Sequence, residues 1–126
     1  MAKQIISNSE GSKFKSPYSP VVIADGLAFV SGQLPLDSAT GSITGNDIVS
    51  QTRQSLENMD AVLQSVGQSL ASVVKTIVFL TNIDDFKLMN ETYMEYFGEI
   101  LPARSCVEVS RLINDVLIEI EAIAKI

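Results

Sequence analysis

The sequence contains no histidine and a single cysteine among its 126 residues. Histidine is the commonest general base and the commonest metal ligand in enzymes, and one cysteine cannot form a disulfide within the chain. Serine hydrolase relays and histidine-based metal centres are therefore excluded, which removes most hydrolytic mechanisms. We expect a protein that works without a metal or a cofactor.

Basic residues and long apolar runs are also scarce. Nine Lys and Arg face 15 Asp and Glu, giving a net charge of −6, and the basic residues are scattered. A nucleic-acid partner is not expected, because binding phosphates requires a concentrated basic face. Apolar runs such as Ile77 to Leu80 are too short to cross a membrane, and no apolar signal segment follows Met1. These features predict a cytoplasmic protein with no membrane partner.

The length and the order of periodic segments predict a single domain spanning residues 1–126. Strands are predicted over Lys3 to Ser7, Val21 to Ala24, Leu27 to Ser31 and Ser72 to Thr81, followed by two adjacent strands after Pro102. Asp25-Gly26 between two apolar runs is a hairpin signal. The segment from Asp37 to Gly45 is rich in Ser, Thr, Gly and Asp, which predicts a loop.

Two helices are predicted between these strands. The first begins near Asn46 and ends at Gly67, and the second is capped by Asn82 or Asp84 and runs to about Phe97. Both helices on one face of a mixed β-sheet give a two-layer α+β fold. The other face of that sheet must meet water or another subunit.

The last two strands carry ionisable side chains at alternating positions. Arg104, Cys106 and Glu108 share one face of the first strand, while Glu119 and Glu121 share one face of the second. We expect this ionisable side of both strands to be the face without helices. We expect it to be buried by oligomerisation, together with Leu117 and Ile123 on the same side.

Arg104 and Glu119 are the main candidates for chemistry. A guanidinium on a sheet binds a carboxylate with two parallel hydrogen bonds, although an ion pair with Glu119 or Glu121 explains Arg104 equally well. A carboxylate at Glu119 or Glu121 that points into the same cavity as Arg104 can orient a water and accept its proton. The structural alternative is a paired or solvated strand face.

Four further residues are candidates for lining a site. Cys106 is either a thiolate activated by the nearby cation or a small buried side chain that offers its backbone carbonyl. Tyr18 stands in a stiff proline-flanked segment, which suits either a site wall or a simple sheet edge. Gly32 ends a strand, where a glycine indicates either the close approach of a ligand or another backbone, or a β-bulge. Asn90 is a polar amide among apolar helix positions, so it is either a satisfied core residue or a cavity-lining donor.

The sequence resembles the Rid family of reactive-intermediate (imine) deaminases, also called the YjgF family, along nearly its whole length. The segments that carry the resemblance are Pro102 to Val109, Ile118 to Ala124, Pro17-Tyr18-Ser19, Ser31 to Pro35, Val74-Lys75-Thr76, Gln54 to Asn58, and Asp85-Phe86 with Asn90. The resemblance implies a chorismate-mutase-like homotrimer with sites in the clefts between subunits. It also implies hydrolysis of 2-imino acids, such as 2-iminobutanoate and 2-iminopropanoate, to 2-oxo acids and ammonia.

The resemblance also implies residue roles. Arg104 would bind the substrate carboxylate, and Glu119 with the backbone carbonyl of Cys106 would position the attacking water. Tyr18, Gly32 and Asn90 would line the cleft. The imines and their enamine tautomers would come from pyridoxal-phosphate enzymes that dehydrate threonine and serine.

Two other functions remain open from the sequence. A trimeric binding or regulatory module would use the same cleft to hold a 2-oxo acid or a related small carboxylate without turnover, because fold does not settle function. The presence of Glu119 beside Arg104 favours the enzyme, since a binding module needs only the arginine. A ribonuclease or translation inhibitor is disfavoured by the acidic charge and the missing histidines.

Overall fold

The computed structural model describes residues 3–6 and 16–126. This part of the chain contains six strands and two α-helices, so the predicted α+β class is confirmed. The elements, in chain order, are β1 (Gln4–Ile6), β2 (Val21–Ala24), β3 (Leu27–Gln33), α1 (Ile48–Gln64), β4 (Val73–Leu80), α2 (Phe86–Phe97), β5 (Ala103–Glu108) and β6 (Ile118–Lys125). Ser7, the predicted end of the first strand, lies outside the described residues.

The strands form one mixed sheet in the order β1-β2-β3-β6-β4-β5. The last strand, β6, is inserted between β3 and β4 and is antiparallel to both. The edge strand β5 runs parallel to β4, and α2 forms the connection between them. This crossover places α2 over β4 and β5.

The β2–β3 hairpin turns at the predicted dipeptide. Asp25 and Gly26 have φ angles of 51° and 76°. Positive φ at both central positions is the geometry of the type I′ turn, whose twist matches that of paired strands.

The predicted helices are present, with a difference at the start of the second. Asp47 caps α1 by accepting a hydrogen bond of 2.8 Å from the Ser50 amide, and Gly67 has a φ of 79° just beyond the helix. Asn82 caps a short 3₁₀ turn over Ile83–Asp85 rather than α2 itself, which begins at Phe86. The capping signal at Asn82 therefore marks the 3₁₀ turn that precedes α2, and not the start of α2.

Both helices cover the same side of the sheet. The core contains Leu56, Met59 and Leu63 of α1 and Met89, Tyr93 and Phe97 of α2, packed on Val30, Val78, Ile118, Ile120, Ala122 and Ala124 of the strands. The four core residues of β6 are spaced two positions apart, so the two-residue period of a strand places all of them on the side that the helices cover. We call the opposite side of the sheet, which carries no helix in the described part of the chain, the open face. Neither helix there is long and apolar enough to cross a membrane.

The prediction that Arg104 and Cys106 lie on the open face is wrong. Arg104 pairs with Thr76, and Cys106 pairs with Val78, both of which are fully buried residues on the helix side of β4. Directly paired residues project to the same face, so Arg104 and Cys106 lie under α2. The prediction holds for Glu119, Glu121 and Ile123, which alternate with the buried residues of β6 and lie on the open face.

Candidate active site

Arg104 lies in a cradle of side chains from α2. Its guanidinium carbon is 4.8 Å from the centre of the Tyr93 ring and 5.5 Å from the centre of the Phe86 ring. Its Nη1 atom lies 3.9 Å from the Met89 sulfur. Cation–π contacts of this kind fix the plane of the guanidinium without consuming its hydrogen-bond donors. The cradle therefore holds Arg104 while its N–H groups stay available for an oxygen ligand.

The Tyr93 ring is itself anchored to the sheet. Its hydroxyl lies 2.7 Å from the Thr76 hydroxyl in a buried contact, and its ring centre is 4.5 Å from that of Phe97. Thr76 is also the strand partner of Arg104. Burial raises the pKa of Tyr93, although the Thr76 hydrogen bond and the charge of Arg104 oppose that rise. The tyrosine is therefore a neutral hydrogen-bonded support for the arginine.

Asn90 and Cys106 lie beside the cradle. Asn90 follows Phe86 by four residues and precedes Tyr93 by three, so it shares their side of α2. Its Oδ1 atom is buried and has no hydrogen-bond partner within the described residues. We use the name arginine group for five residues: Arg104, Phe86, Met89, Asn90 and Tyr93. Cys106 adjoins this group, because it lies on the same face of β5 as Arg104.

Burial raises the pKa of the Cys106 thiol, and the charge of Arg104 opposes this rise only in part. An activated thiolate requires a lowered pKa. The raised pKa disfavours the thiolate interpretation of Cys106, and the half-buried side chain packs against the core as a small hydrophobe. The alternative role, through its backbone carbonyl, stays a prediction.

Glu119 lies on the open face, against a glycine of β3. A methyl group at Gly32 would overlap the Glu119 carboxylate, with its carbon 2.8 Å from Cδ of that side chain. Burial raises the pKa of the Glu119 carboxyl, and the negative charge of Glu121 raises it further. Glu119 is thus a half-buried carboxylate that holds its proton more tightly than an exposed one.

The segment that carries Tyr18 is tied to β3 next to Gly32. The Ser31 hydroxyl donates a hydrogen bond of 2.6 Å to the Ser19 carbonyl, and the Ser31 amide donates one of 2.9 Å to the Pro20 carbonyl. The Tyr18 side chain is exposed. Glu119, Gly32 and the tied segment with Tyr18 are called the glutamate group below.

The two groups lie on opposite faces of the sheet. Arg104 pairs with Thr76 on the helix side of β4, whereas Glu119 pairs with Phe79, which alternates to the open face. Glu119 and Glu121 therefore share no cavity with Arg104 within one chain, and a cavity that they share stays a prediction that needs a second copy of the chain. The ion pairs of the described residues are Arg53–Glu95 and Arg111–Asp115, so the predicted alternative of an Arg104 pair with Glu119 or Glu121 is wrong.

Sequence reasoning missed the supports of Arg104. By sequence alone, Phe86, Met89 and Tyr93 are apolar helix positions that indicate core packing and no contact with Arg104. The signal for their second role was the β4–α2–β5 order, because a parallel crossover lays the connecting helix across the two strands it joins. Among residues 3–6 and 16–126, no three Cys, Asp or Glu side chains are arranged to hold a metal ion.

Comparison with known proteins agrees with the resemblance seen in the sequence. The family model described as Endoribonuclease L-PSP matches residues 11–126. A RutC family protein of Pyrococcus horikoshii is 52% identical over 122 residues, covering 97% of each chain. The 2-iminobutanoate/2-iminopropanoate deaminase of Salmonella typhimurium is 46% identical over 111 residues, covering 86% of each chain.

A solved structure extends the similarity to three dimensions. A Yersinia pestis protein of the conserved Rid family superimposes with a TM-score of 0.91 at 44% identity, covering 99% of this chain and 100% of that one. Matches of this extent in both sequence and structure identify the family. The chain therefore belongs to the Rid (YjgF) family, which the matching model describes as Endoribonuclease L-PSP.

Proposed function

We propose that the protein hydrolyses reactive 2-imino acids, such as 2-iminobutanoate and 2-iminopropanoate, to 2-oxo acids and ammonia. The observation that carries the proposal is Arg104, held by aromatic rings and with no acidic partner in the described part of the chain. An arginine that is held by aromatic rings and has no acidic partner is suited to bind an anionic ligand. The name of the Salmonella typhimurium relative supports the substrate class.

Arg104 fixes the substrate through its carboxylate. The planar guanidinium donates two parallel N–H bonds to the two carboxylate oxygens, which sets the orientation of the adjacent C=N carbon. Asn90 supports this role, because its buried Oδ1 atom lacks a hydrogen-bond partner in the described structure and can accept from the N–H of a protonated imine. Orientation of this kind accelerates a reaction whose electrophile is already activated.

Glu119 and the Cys106 carbonyl act on the water. Water adds to the C=N carbon, and Glu119 accepts a proton from it and passes that proton to the nitrogen of the resulting carbinolamine. The C–N bond then breaks and ammonia leaves with the bonding electron pair, while Glu119 accepts the hydroxyl proton as the 2-oxo group forms and then releases it to water. The raised pKa of Glu119 suits this exchange, since a carboxyl that binds a proton more readily serves both steps.

The site in this proposal joins two copies of the chain, within a homotrimer. The arginine and glutamate groups lie on opposite faces, so one chain cannot bring both to one substrate. The open face also carries apolar side chains that a partner can cover; Phe29 is 42% exposed and pairs with Ile123. A cleft between subunits would place the arginine group of one beside the glutamate group of the next.

The substrate source in this proposal is a pyridoxal-phosphate enzyme that dehydrates threonine or serine in the cytoplasm. The test couples the purified protein to a threonine dehydratase and follows the remaining imine by its reaction with semicarbazide. We expect the wild-type protein to lower semicarbazone formation. The Arg104→Ala variant should not, because it cannot hold the substrate carboxylate.

The matched control is Arg53→Ala, which removes an arginine that pairs with Glu95 on the helix surface 2.6 Å away. This variant should stay active. Semicarbazone formation unchanged by the wild-type protein contradicts the proposal. Binding of 2-oxobutanoate without imine loss would instead indicate the carboxylate-binding module, and RNA cleavage by contaminant-free protein would indicate a nuclease.

A further inference from the structure

A bulge in β3 lies beside the proposed catalytic carboxylate, Glu119. Val30 pairs with Ala122 of β6 and Gln33 pairs with Ile120, so Ser31 and Gly32 together face the single residue Glu121. The Gln33 side-chain amide donates a hydrogen bond of 2.9 Å to the Ser31 carbonyl and so stabilises the bulge. A bulge inserts one residue and re-aims the side chains around it.

Gly32 has no conformational need to be glycine. Its φ angle is not in the positive region, unlike those of Gly26, Gly41, Gly45, Gly67 and Gly98. An ordinary L-residue can therefore adopt its backbone conformation. The reason for a glycine must lie in the space where a side chain would be.

That space is filled by Glu119. A Cβ atom built on Gly32 would lie 2.8 Å from Cδ and 3.0 Å from Cγ of Glu119, and closer still to Oε2. Carbon atoms in contact stay about 3.5–4.0 Å apart. The nearest atoms belong to the end of a flexible side chain, so a methyl group here would rotate the carboxylate away rather than unfold the strand.

We infer that Gly32 is a positioning residue for Glu119: the missing side chain and the β3 bulge hold the carboxylate against the strand, in the place from which it acts. This inference rests on the proposed function for its catalytic consequence. Its steric part, the contact between residue 32 and Glu119, stands on geometry alone.

The kinetic test is Gly32→Ala in the imine assay. We expect kcat to fall at least tenfold while KM changes less than threefold, because Arg104 still binds the carboxylate while the base is displaced. The dissociation constant of 2-oxobutanoate should change less than twofold. A kcat within twofold of wild type overturns the inference. A raised KM with an unchanged kcat does so as well, because it would mean that Gly32 only admits the substrate.

The second test is a double-mutant cycle in denaturant, which needs no activity. Gly32→Ala should lower the unfolding midpoint of the wild-type protein but not that of Glu119→Ala, where the space is empty. In the latter background the midpoint should rise, since alanine restricts the unfolded chain more than glycine. If Gly32→Ala changes the unfolding midpoint equally in both backgrounds, or changes it in neither, the steric contact is contradicted. If the wild-type protein shows no imine activity, the proposed function fails while this cycle still decides the contact.

Discussion

Glu119 has a second carboxylate two residues further along the same strand. Glu121 lies on the same face of β6, and its charge adds to burial in raising the pKa of Glu119. Glu119 must be ionised to accept a proton from water, so activity should be lost as the pH falls through its pKa. The raised pKa places this loss above the usual carboxyl value of 4.5.

Replacing Glu121 by Gln removes one of the two causes of that rise. The pKa of Glu119 should fall, and the acidic limb of kcat should move to lower pH, making the variant more active than wild type below the wild-type limb. A pH–rate profile of the imine reaction measures this. If the acidic limb stays at the wild-type pH in both Glu121→Gln and Glu119→Asp, a group other than Glu119 is responsible for it.

Tyr93 supports Arg104 with its ring and is fixed by its hydroxyl, and two variants separate these roles. Tyr93→Leu removes the ring and should raise KM roughly tenfold. A cation–π contact stabilises the guanidinium in its bound orientation by about 0.5–2 kcal/mol. Tyr93→Phe keeps the ring and should leave KM near that of wild type. It should lower the free energy of unfolding by about 1–2 kcal/mol, because the buried Thr76 hydroxyl loses its partner.

Steady-state kinetics and denaturant titration of both Tyr93 variants provide the comparison. Equal KM values for Tyr93→Leu and wild type would exclude the cradle as a support of Arg104.

Sequence alone could nominate Arg104 and Glu119 because their residue types limit the chemistry. It could not reveal the cradle, because contacts between α2 and β5 depend on how the helix sits over the strand.

Strand β6 shows how much the alternation of residues determines at the scale of an element. Ile118, Ile120, Ala122 and Ala124 alternate in sequence with Glu119, Glu121 and Ile123, and all four are buried against the helices. The contrast between apolar and charged positions makes the two faces of this central strand distinct. Its orientation in the sheet was therefore predictable.

Edge strand β5 lacks that contrast, which explains the wrong prediction for Arg104. None of its six residues is fully buried, and its two sides differ little in polarity. Alternation showed that Arg104 and Cys106 share a side but not which side faces the helices. At Gly32 the sequence allowed a strand end or a β-bulge, and the structure confirms the bulge, because β3 continues to Gln33.

The central position of β6 predicts a large cost for truncating its core residues. Ile120 is fully buried, and Ile120→Ala should lower the free energy of unfolding by about 2–5 kcal/mol through lost burial and a residual cavity. Ile113 is 66% exposed, and Ile113→Ala should change the stability by less than about 0.5 kcal/mol. Urea titrations of both variants measure this. Equal stabilities would mean that β6 does not form the core.

At the scale of the whole molecule, the sheet separates two groups that the chemistry requires together. The helix side supplies a cation and a hydrogen-bond acceptor, and the open face supplies a carboxylate. The class of fold followed from strand and helix periodicity, because those patterns reflect burial within one chain. The separation of the groups could not follow from it, since it depends on strand register and on a second copy of the protein.

Mixing two inactive variants tests this account most directly. Arg104→Ala and Glu119→Ala subunits should each be inactive alone, and for this test they are unfolded together and refolded in equal amounts. A site that takes Arg104 from one subunit and Glu119 from another is intact in about a quarter of random pairings, so about a quarter of wild-type imine hydrolysis should return. No activity in the mixture, with hetero-oligomers demonstrated by mass spectrometry, would contradict a site shared between subunits.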